Sequence, residues 1–520
     1  MMKKIISMLL VITLMVSLTA CNNEKKDSTA TKSNEVQTDS DAAEVSDEIY
    51  EIVMQYPTLG TTPTDLQLVE DAVNAKVESE IGVHVTFYPV SAFDLNSTTN
   101  LMVSAGEKLD LMISMFEGGV GSYVNKGILL ELDDLVTKYG ADIIKAEGNA
   151  MSGGYFNGKL YAVPTEEKMG RVKAFTCRKD LLDKYNISYD ASHVYTYEEL
   201  SDIFKTIKLG EADNFYCIAA NSSEEKPFYF MDPVDFLGAS LASGALMNYG
   251  VGSTEVTNYY ATDNFKTAAS FAHDWYKNGY FSPDCNTTTD SGMTLMQSGN
   301  YFGFFSNAEP DMIASQSTQM KAYIGTDLVP LYTSAPSALT QFYQLTLWAL
   351  PITCDNPEKT MQFLNLLYSD EYLINLIYRG IEGTHWNFSE GSDKVIEYPE
   401  GIDPSNTPYI SILNVWGDKS KDYVMPPLDE SYYKALSDFN ASVDAAHTSA
   451  ALGYCFNSDP VKTEYAAVSD VIKQYEASLG MGVVDPNTVL PEFLDALKAA
   501  GIDKVIAENQ KQFDEWLAQK

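Results

Sequence analysis

Three short stretches of sequence decide the fold: YEIVMQY at residues 50–56, VHVTFY at 83–88 and LDLMIS at 109–114. All three are rich in β-branched and large apolar residues, which is typical of strands. The first connection carries apolar residues at helical spacing and predicts a helix that ends near Ser79, and a second helix is predicted over 95–105. Strand, helix, strand, helix and strand in this order predict a parallel, doubly wound sheet.

The carboxyl ends of these strands are expected to lie at one edge of the sheet. Ligands of open α/β sheets bind in the crevice outside this edge. The segments 56–58, 88–90 and 114–117, at the ends of the three strands, are therefore predicted to form one side of a binding site.

The amino terminus has the organisation of a bacterial export signal. Two lysines precede an apolar run over 5–18, which is shorter than the roughly 20 residues that a membrane-spanning helix needs. The LTAC sequence that ends at Cys21 resembles the lipobox of bacterial lipoproteins, in which the cysteine becomes the lipidated first residue. We therefore expect a signal peptide over 1–20 and a lipid anchor on Cys21. Residues 21–47, the anchor and a polar stretch with almost no large apolar residue, are expected to form a disordered spacer.

Charge and cysteine content argue against several kinds of partner and site. The 35 Lys and Arg residues against 72 Asp and Glu residues give a net charge of −37, which opposes binding to nucleic acid.

Beyond Cys21 the chain has five cysteines, which are Cys177, Cys217, Cys285, Cys354 and Cys455. Their number is odd and no pair has C-x-x-C spacing, so we expect neither a disulfide framework nor a zinc site and interpret them as small buried residues.

The sequence carries no motif of a catalytic, metal or cofactor site. The five histidines are far apart, and the H-E-x-x-H, G-x-S-x-G, P-loop and complete calcium-loop patterns are missing. Neighbouring carboxylates are common in so acidic a chain, so they do not indicate glycoside hydrolysis. We therefore predict a protein that is not an enzyme and that needs no cofactor.

Several segments follow one another in a recognisable order. They are SAGEKLDLM at 104–112, YVNKGILLEL at 123–132, NGKLYAVP at 157–164, FTCRKDLL at 175–182, TYEELSDIFKTI at 196–207 and DNPEKTMQFL at 355–364. Each resembles the segment at the same place in the family 1 extracellular solute-binding proteins, the receptors of bacterial ABC importers.

A subgroup of this family has a C-terminal region called DUF3502. Three segments are similar to that subgroup: GIEGTHW at 380–386, GYCFNSDPVKTE at 453–464 and the closing stretch 499–516. Trp386 and the Tyr454-Cys455 pair depart from the subgroup's pattern, which bears on ligand detail and not on the fold.

The resemblance covers residues 48–520 and implies an α/β protein of two lobes. In this periplasmic-binding-protein-like fold each lobe is a mostly parallel sheet flanked by helices, and hinge crossovers join the lobes. The expected division is 48–165 and 341–385 for the first lobe, 166–340 and 386–450 for the second lobe, and 451–520 for a helical C-terminal region.

In such a receptor the ligand lies between the lobes. A sugar stacks its apolar faces on aromatic rings and pairs its hydroxyl groups with carboxylates and amides. The candidate ligand-binding residues are Phe116 and Glu117 after the third strand, Glu166 and Glu167 at the first crossover, Asn307 and Glu309 in a loop of the second lobe, Trp348 where the chain recrosses, and Glu382, His385 and Trp386 in a glycine-flanked turn.

The predicted function is that of an extracytoplasmic lipoprotein receptor, which binds an oligosaccharide and delivers it to the transmembrane subunits of an ABC permease. We expect a monomer held by Cys21 on the outer face of the cell membrane of a Gram-positive bacterium. Three alternatives share the anchor or the fold: a surface glycan hydrolase, a receptor for peptide-type solutes and a sensor that does not transport. A peptide receptor needs a charged clamp, for which Arg171, Arg178 and Arg379 are the candidates.

Overall fold

The strands and helices expected at the start of the chain are all present in the computed structural model of the protein. The structure describes residues 49–115, 119–156, 158–165, 170–223, 225–237, 240–411 and 413–519. The second helix has the predicted bounds, and the first helix runs on to Ile81, one half-turn beyond Ser79.

The strands, in chain order, are β1 (Tyr50–Thr58), β2 (Val83–Ser91), β3 (Met112–Met115), β4 (Tyr155–Phe156), β5 (Lys159–Leu160), β6 (Val163–Pro164), β7 (Lys173–Arg178), β8 (Tyr216–Ile218), β9 (Val234–Asp235), β10 (Ala245–Met247), β11 (Val256–Thr257), β12 (Tyr301–Asn307), β13 (Leu328–Tyr332), β14 (Thr346–Ala349), β15 (Asn387–Phe388) and β16 (Ile396–Glu397). The α-helices are α1 (Leu66–Ile81), α2 (Leu95–Ala105), α3 (Gly119–Asn125), α4 (Asp133–Tyr139), α5 (Ala141–Glu147), α6 (Lys179–Lys184), α7 (Tyr197–Gly210), α8 (Pro227–Met231), α9 (Asp263–Lys277), α10 (Gly292–Met296), α11 (Pro310–Ile324), α12 (Thr340–Tyr343), α13 (Pro357–Ser369), α14 (Glu371–Arg379), α15 (Tyr432–Ala441), α16 (Lys462–Gly480), α17 (Pro486–Ala500) and α18 (Ile502–Leu517).

The first lobe is built on strands in the order β2-β1-β3-β14-β6. β1 and β2 pair in parallel along their whole length, and a parallel bridge between Met54 and Leu111 joins β1 to β3. β14 lies antiparallel between β3 and β6. The carboxyl ends of β1, β2 and β3 therefore share one edge, which confirms the prediction from the sequence.

The helices that connect these strands end at glycine residues. Gly82 follows α1 with φ 62° and Gly106 follows α2 with φ 69°, in the left-handed region where a residue with a Cβ atom is strained. The chain turns sharply at each glycine, so that β2 and β3 follow their helices without a long loop. α1 packs on the sheet through a buried stripe of Leu66, Val69, Val73 and Val77.

The second lobe contains a sheet of order β13-β7-β12-β8. β12 runs parallel to β8, but β7 is antiparallel to both of its neighbours, so this sheet is mixed and not mostly parallel as expected. The reason is that β7 enters straight from the first crossover and does not follow a covering helix. Behind the sheet Trp275 is 1% exposed and its Nε1 donates to Ser201 Oγ at 2.7 Å, so it is a core residue with a satisfied polar tip.

Segments that connect the lobes lie side by side. Arg171 and Ser337 form an antiparallel bridge with two hydrogen bonds of 2.8 Å, and Ala338 forms a parallel bridge with Thr448. The first of these segments leads from β6 to β7, and the second leads from β13 back to β14. The crossovers are thus held together in a short ladder at the junction, as in a hinge between two lobes.

The stretch between α14 and α15 belongs to the first lobe, which corrects the boundary expected at residue 386. Tyr409 and Trp416 are buried in the core of the first lobe. The second lobe resumes with α15, whose Phe439 packs against Ala174 and Ala308. The stretch between α14 and α15 has few and short regular elements. Its sequence therefore lacks the periodic pattern of apolar residues that would predict which lobe it packs on.

The C-terminal helices α16, α17 and α18 complete the core of the second lobe. Phe493 and Phe513 lie in one buried cluster with Phe228 and Phe265. Gly501 separates α17 from α18. The C-terminal region is therefore an integral part of this lobe.

The five cysteines beyond Cys21 are free thiols. Four of them are buried, as predicted, and Cys455 is half-buried. In the portion of the chain that is described, no helix combines the length and the apolar composition needed to cross a membrane.

Candidate ligand-binding site

The sequence predicts one side of a ligand-binding site at the carboxyl edge of the first-lobe sheet. The backbone N–H of Ala92 donates to the carbonyl of Thr58 at 2.9 Å, so the chain segments that leave β1 and β2 stay together beyond the strands. Leu59 and Phe93 come next, and both side chains are exposed. The sequence analysis singled out neither residue, because an isolated Leu or Phe in a loop carries no motif.

The sequence also predicts ligand contacts where β12 ends. Asn307 is the last residue of this strand and is half-buried, whereas the side chain of Glu309 is fully buried. Arg171, on the first crossover, places Nη1 3.8 Å from Oε1 of Glu309. The ion pair joins the crossover to the start of α11, so Glu309 already has a partner within the protein.

Buried charges lie just behind the crossovers. Lys173 is the first residue of β7, and burial lowers its pKa to about 8. The negative charges of Asp232 and Asp235 raise this pKa and so partly offset the effect of burial. Asp235 Oδ2 accepts hydrogen bonds from the backbone N–H of Thr340 at 3.1 Å and from its Oγ1 at 2.8 Å. Because Thr340 belongs to the second crossover, this group of charges fixes the second lobe to the hinge.

Trp348 lies in the core of the first lobe. Its side chain is fully buried, Nε1 donates to the carbonyl of Val415 at 2.8 Å, and its ring lies 5.5 Å from that of Trp416. The polar tip and the flat face are thus both engaged inside the lobe. Trp348 therefore has no free polar atom or ring face to offer a ligand.

The turn at 380–386 lies beside the start of α1. Nε2 of His385 is 3.2 Å from Oδ2 of Asp65, and the imidazole is buried. Trp386 is also buried, and its Nε1 donates to a backbone carbonyl of the same turn at 2.9 Å. Of the three residues predicted in this turn, Glu382 alone has an exposed side chain.

Five predicted residues lie outside the described residues. They are the ligand candidates Phe116, Glu117, Glu166 and Glu167, and the lipidation site Cys21. Their roles stay predictions.

A cavity of about 670 Å³ lies between the first lobe and α15. It is lined by Asp142, Lys145, Ala146, Glu147, Tyr368, Ser369, Asp418, Lys419, Ser420, Lys421, Tyr433, Leu436, Ser437 and Asn440. Lys419 Nζ donates to the carbonyl of Thr165 at 2.7 Å, and the backbone N–H of Gly170 donates to Asn440 Oδ1 at 3.2 Å, so the cavity adjoins the first crossover. Its volume falls in the range of small-molecule sites, and its polar lining suits a hydrated or hydroxylated ligand. The sequence analysis singled out none of these residues, because they come from helix ends without a motif.

The described residues contain no group of three or more His, Cys, Asp or Glu side chains placed to hold a metal ion.

Comparison with known proteins gives matches along nearly the whole chain. Residues 61–374 match the family model described as bacterial extracellular solute-binding protein, and residues 450–518 match a domain of unknown function, DUF3502. A carbohydrate ABC transporter substrate-binding protein of Streptococcus pneumoniae is 26% identical over 479 residues, which are 90% of this chain and 91% of that protein.

Solved structures of the N-glycan transport solute binding protein NgtS of S. pneumoniae are similar over 90% of this chain and 99% of theirs. One crystal structure has a TM-score of 0.75 at 25% identity. The complexes with Man1GlcNAc and Man5GlcNAc have TM-scores of 0.66 and 0.64 at 25% and 26% identity. The predicted fold class and family are thereby confirmed. Because the first family model spans more than half of the sequence, the chain belongs to the bacterial extracellular solute-binding proteins.

Proposed function

We propose that the chain is the carbohydrate receptor of a bacterial ABC importer and that it binds an oligosaccharide of the N-glycan type between its lobes. The observation that carries the proposal is the similarity, over 90% of the chain, to a carbohydrate ABC transporter substrate-binding protein and to NgtS, whose crystal structures include complexes with Man1GlcNAc and Man5GlcNAc. Because one fold serves many functions, the proposal depends on this similarity and on the cleft and not on the fold alone.

The proposed ligand lies against the carboxyl edge of the first lobe and the end of β12. The side chains proposed to contact it are Phe116, Glu117, Glu166, Glu167, Asn307 and Glu382. Aromatic rings stack on the apolar faces of sugars, and carboxylates and amides accept and donate the hydrogen bonds of the hydroxyl groups. Glu309, His385 and Trp386 are proposed to act indirectly, because their buried contacts hold the walls of the cleft in place.

Capture of the ligand is proposed to close the two lobes about the crossovers. A glycan that contacts both walls binds the closed arrangement more tightly, and this difference in affinity moves the equilibrium toward closure.

We also propose that the receptor is a monomeric lipoprotein with its anchor on Cys21, and that the closed form docks on the transmembrane subunits of an ABC permease. The LTAC sequence at the end of an export signal and membership of an extracellular family support this location. No catalytic role is proposed, because the relatives with high coverage are substrate-binding proteins.

The test is a thermal unfolding series with the full chain in detergent micelles. Man5GlcNAc, Man1GlcNAc, an unrelated trisaccharide and a tripeptide are added in turn. A ligand at 100 times its dissociation constant adds about 2.7 kcal/mol to the free energy of unfolding, which raises the unfolding temperature by roughly a few degrees. Stabilisation by the two glycans, with both recovered intact, supports the proposal. Stabilisation by the peptide alone, or release of free mannose, overturns it.

A further inference from the structure

Phe93 exposes most of its side chain at the carboxyl edge of the first-lobe sheet. The exposed fraction is 78%, although its neighbours Ala92 and Leu95 are buried at 3% and 1% exposure. Scattered exposed apolar residues are ordinary on a protein surface, but an apolar group at a ligand-binding edge calls for a reason.

The backbone around Phe93 is fixed by local hydrogen bonds. The N–H of Phe93 donates to Ser91 Oγ at 3.3 Å, and the N–H of Asp94 donates to the carbonyl of Ser91 at 2.8 Å. This tight turn leads directly into α2, whose first residue, Leu95, is anchored in the core. The ring is therefore presented by an ordered backbone, which lowers the entropy that a ligand would have to offset.

A second exposed apolar side chain lies where the neighbouring strand ends. Thr58 pairs with Ser91 at the end of the β1–β2 ladder, and the hydrogen bond from Ala92 to Thr58 extends the pairing by one step. This register puts Leu59 opposite Ala92, one position before Phe93, and the exposed fraction of Leu59 is 40%. We call these two exposed apolar residues, at the carboxyl ends of β1 and β2, the platform.

The platform lies at the far end of the edge from the crossovers. The order β2-β1-β3-β14-β6 puts the crossovers at β14 and β6, and β2 is the outermost strand on the other side. At about 4.8 Å between neighbouring strands, the four steps from β6 to β2 span about 19 Å, which is long enough for several linked sugar rings.

We propose that Phe93, with Leu59 at the end of the neighbouring strand, is an outer subsite on which a sugar residue of a bound oligosaccharide stacks. The inference rests on the proposed function and deepens it. A short glycan fills the part of the cleft near the crossovers, and a longer glycan reaches the platform as well. Phe93 is then a residue that sets the preference of the receptor for longer oligosaccharides.

The chemistry of the platform fits a sugar face. An aromatic ring packs on the C–H groups of a pyranose, and contacts of this kind contribute about one power of ten in affinity or less. The platform carries no cation that would favour an anionic ligand, since its two side chains are Phe and Leu.

The test is a calorimetric titration of the full chain in detergent micelles with Man5GlcNAc and with Man1GlcNAc. We expect Phe93→Ala to weaken binding of Man5GlcNAc about 5- to 10-fold and binding of Man1GlcNAc less than about 2-fold. Phe93→Trp is expected to retain most of the affinity for the longer glycan. The unfolding temperature should not change, because the ring is exposed.

Leu101→Ala is the matched control. Leu101 is 72% exposed on α2, the helix that follows Phe93, but lies eight residues further along the chain and about 12 Å or less further from the strand ends. Its removal should change neither affinity. Equal affinities of Phe93→Ala and the unaltered chain for Man5GlcNAc, or an equal loss for both glycans, would overturn the outer subsite and leave the proposed function intact. Failure of the unaltered chain to bind either glycan would instead overturn the proposed function and the subsite with it. Slower uptake by cells with unchanged affinity would assign Phe93 to a contact with the permease and also overturn the subsite.

Discussion

Lys226 Nζ lies 3.1 Å from Glu476 Oε2 inside the second lobe, although the two residues belong to distant parts of the chain. Their side chains are only 4% and 11% exposed. The hydroxyl groups of Tyr229 and Tyr260 donate to Oε1 of the same carboxylate at 2.9 and 2.5 Å. A single carboxylate of α16 thus ties the C-terminal region to the segment that contains α8.

Removal of this carboxylate should destabilise the protein strongly. Glu476→Ala leaves the buried ammonium of Lys226 without its countercharge, although two backbone carbonyls still accept from it, and removes an acceptor from the Tyr229 and Tyr260 hydroxyl groups. We expect a loss of about 3 to 5 kcal/mol in the free energy of unfolding. Guanidinium unfolding measures this loss. Asp438→Ala, which breaks the exposed pair with Lys434, is the control and should cost less than about 1 kcal/mol. Equal losses of stability in Glu476→Ala and Asp438→Ala would contradict the stabilising role given to the Glu476 carboxylate.

Trp348 should prove to be a stability residue and not a ligand contact. Trp348→Phe removes the hydrogen bond to Val415 and leaves a small void, so we expect the free energy of unfolding to fall by about 1 to 3 kcal/mol. The affinity of the folded protein for Man5GlcNAc should stay within about 2-fold of the original. A large loss of affinity at unchanged stability would return Trp348 to the binding site.

Lys173 should make the stability depend on pH above neutrality. Burial lowers its pKa to about 8, against about 10.5 for an ordinary lysine, so between these values the unfolded chain binds the proton that the folded chain has released. The free energy of unfolding should therefore rise as the pH increases through this window, by about 3 kcal/mol in total from this residue. Below about pH 8 the residue is charged in both states, and its contribution is a constant penalty.

Urea unfolding of the unaltered chain and of Lys173→Met, at several pH values from about 7.5 to 10, isolates this contribution. The difference in stability between the two proteins should change with pH by the amount given above, because other groups titrate alike in both. Parallel curves for the two proteins would show that Lys173 has an ordinary pKa.

Cys21 should decide where the protein is found in the cell. Cys21→Ser removes the thiol that would carry the lipid, so we expect the variant to leave the membrane fraction for the soluble fraction and to incorporate no labelled palmitate. Cys455→Ser is the control, since that thiol lies in the folded body. Retention of the Cys21 variant on the membrane at the level of the control would rule out the anchor.

Regular elements at the start of the chain were predictable because their signals are local. The bounds of α2 follow from its apolar spacing, and the parallel order of β1, β2 and β3 follows from their alternation with helices. The extent of the first lobe near its end was not predictable in the same way. Tyr409 and Trp416 reach its core from a stretch without regular periodicity, and only their tertiary contacts reveal it.

The edge of the sheet at which we propose the site was predictable, but the direction of single side chains along it was not. Trp348 and Trp386 are aromatic residues near this edge, as expected of sugar contacts, yet both turn into the protein and bond to backbone carbonyls. Phe93 turns outward from the same edge and has no local signal in the sequence. A strand end tells which residues are near the site, but the direction of each side chain depends on packing from elsewhere in the fold.

The second lobe takes its core from segments that are far apart in the chain, because Phe228 and Phe265 lie in one buried cluster with Phe513 of α18. During synthesis this lobe cannot finish folding before the ribosome has released α18, since its interior lacks the Phe513 ring until then. A lobe that stays incompletely folded over so long a stretch of translation can still pass through an export channel, which suits a member of an extracellular family.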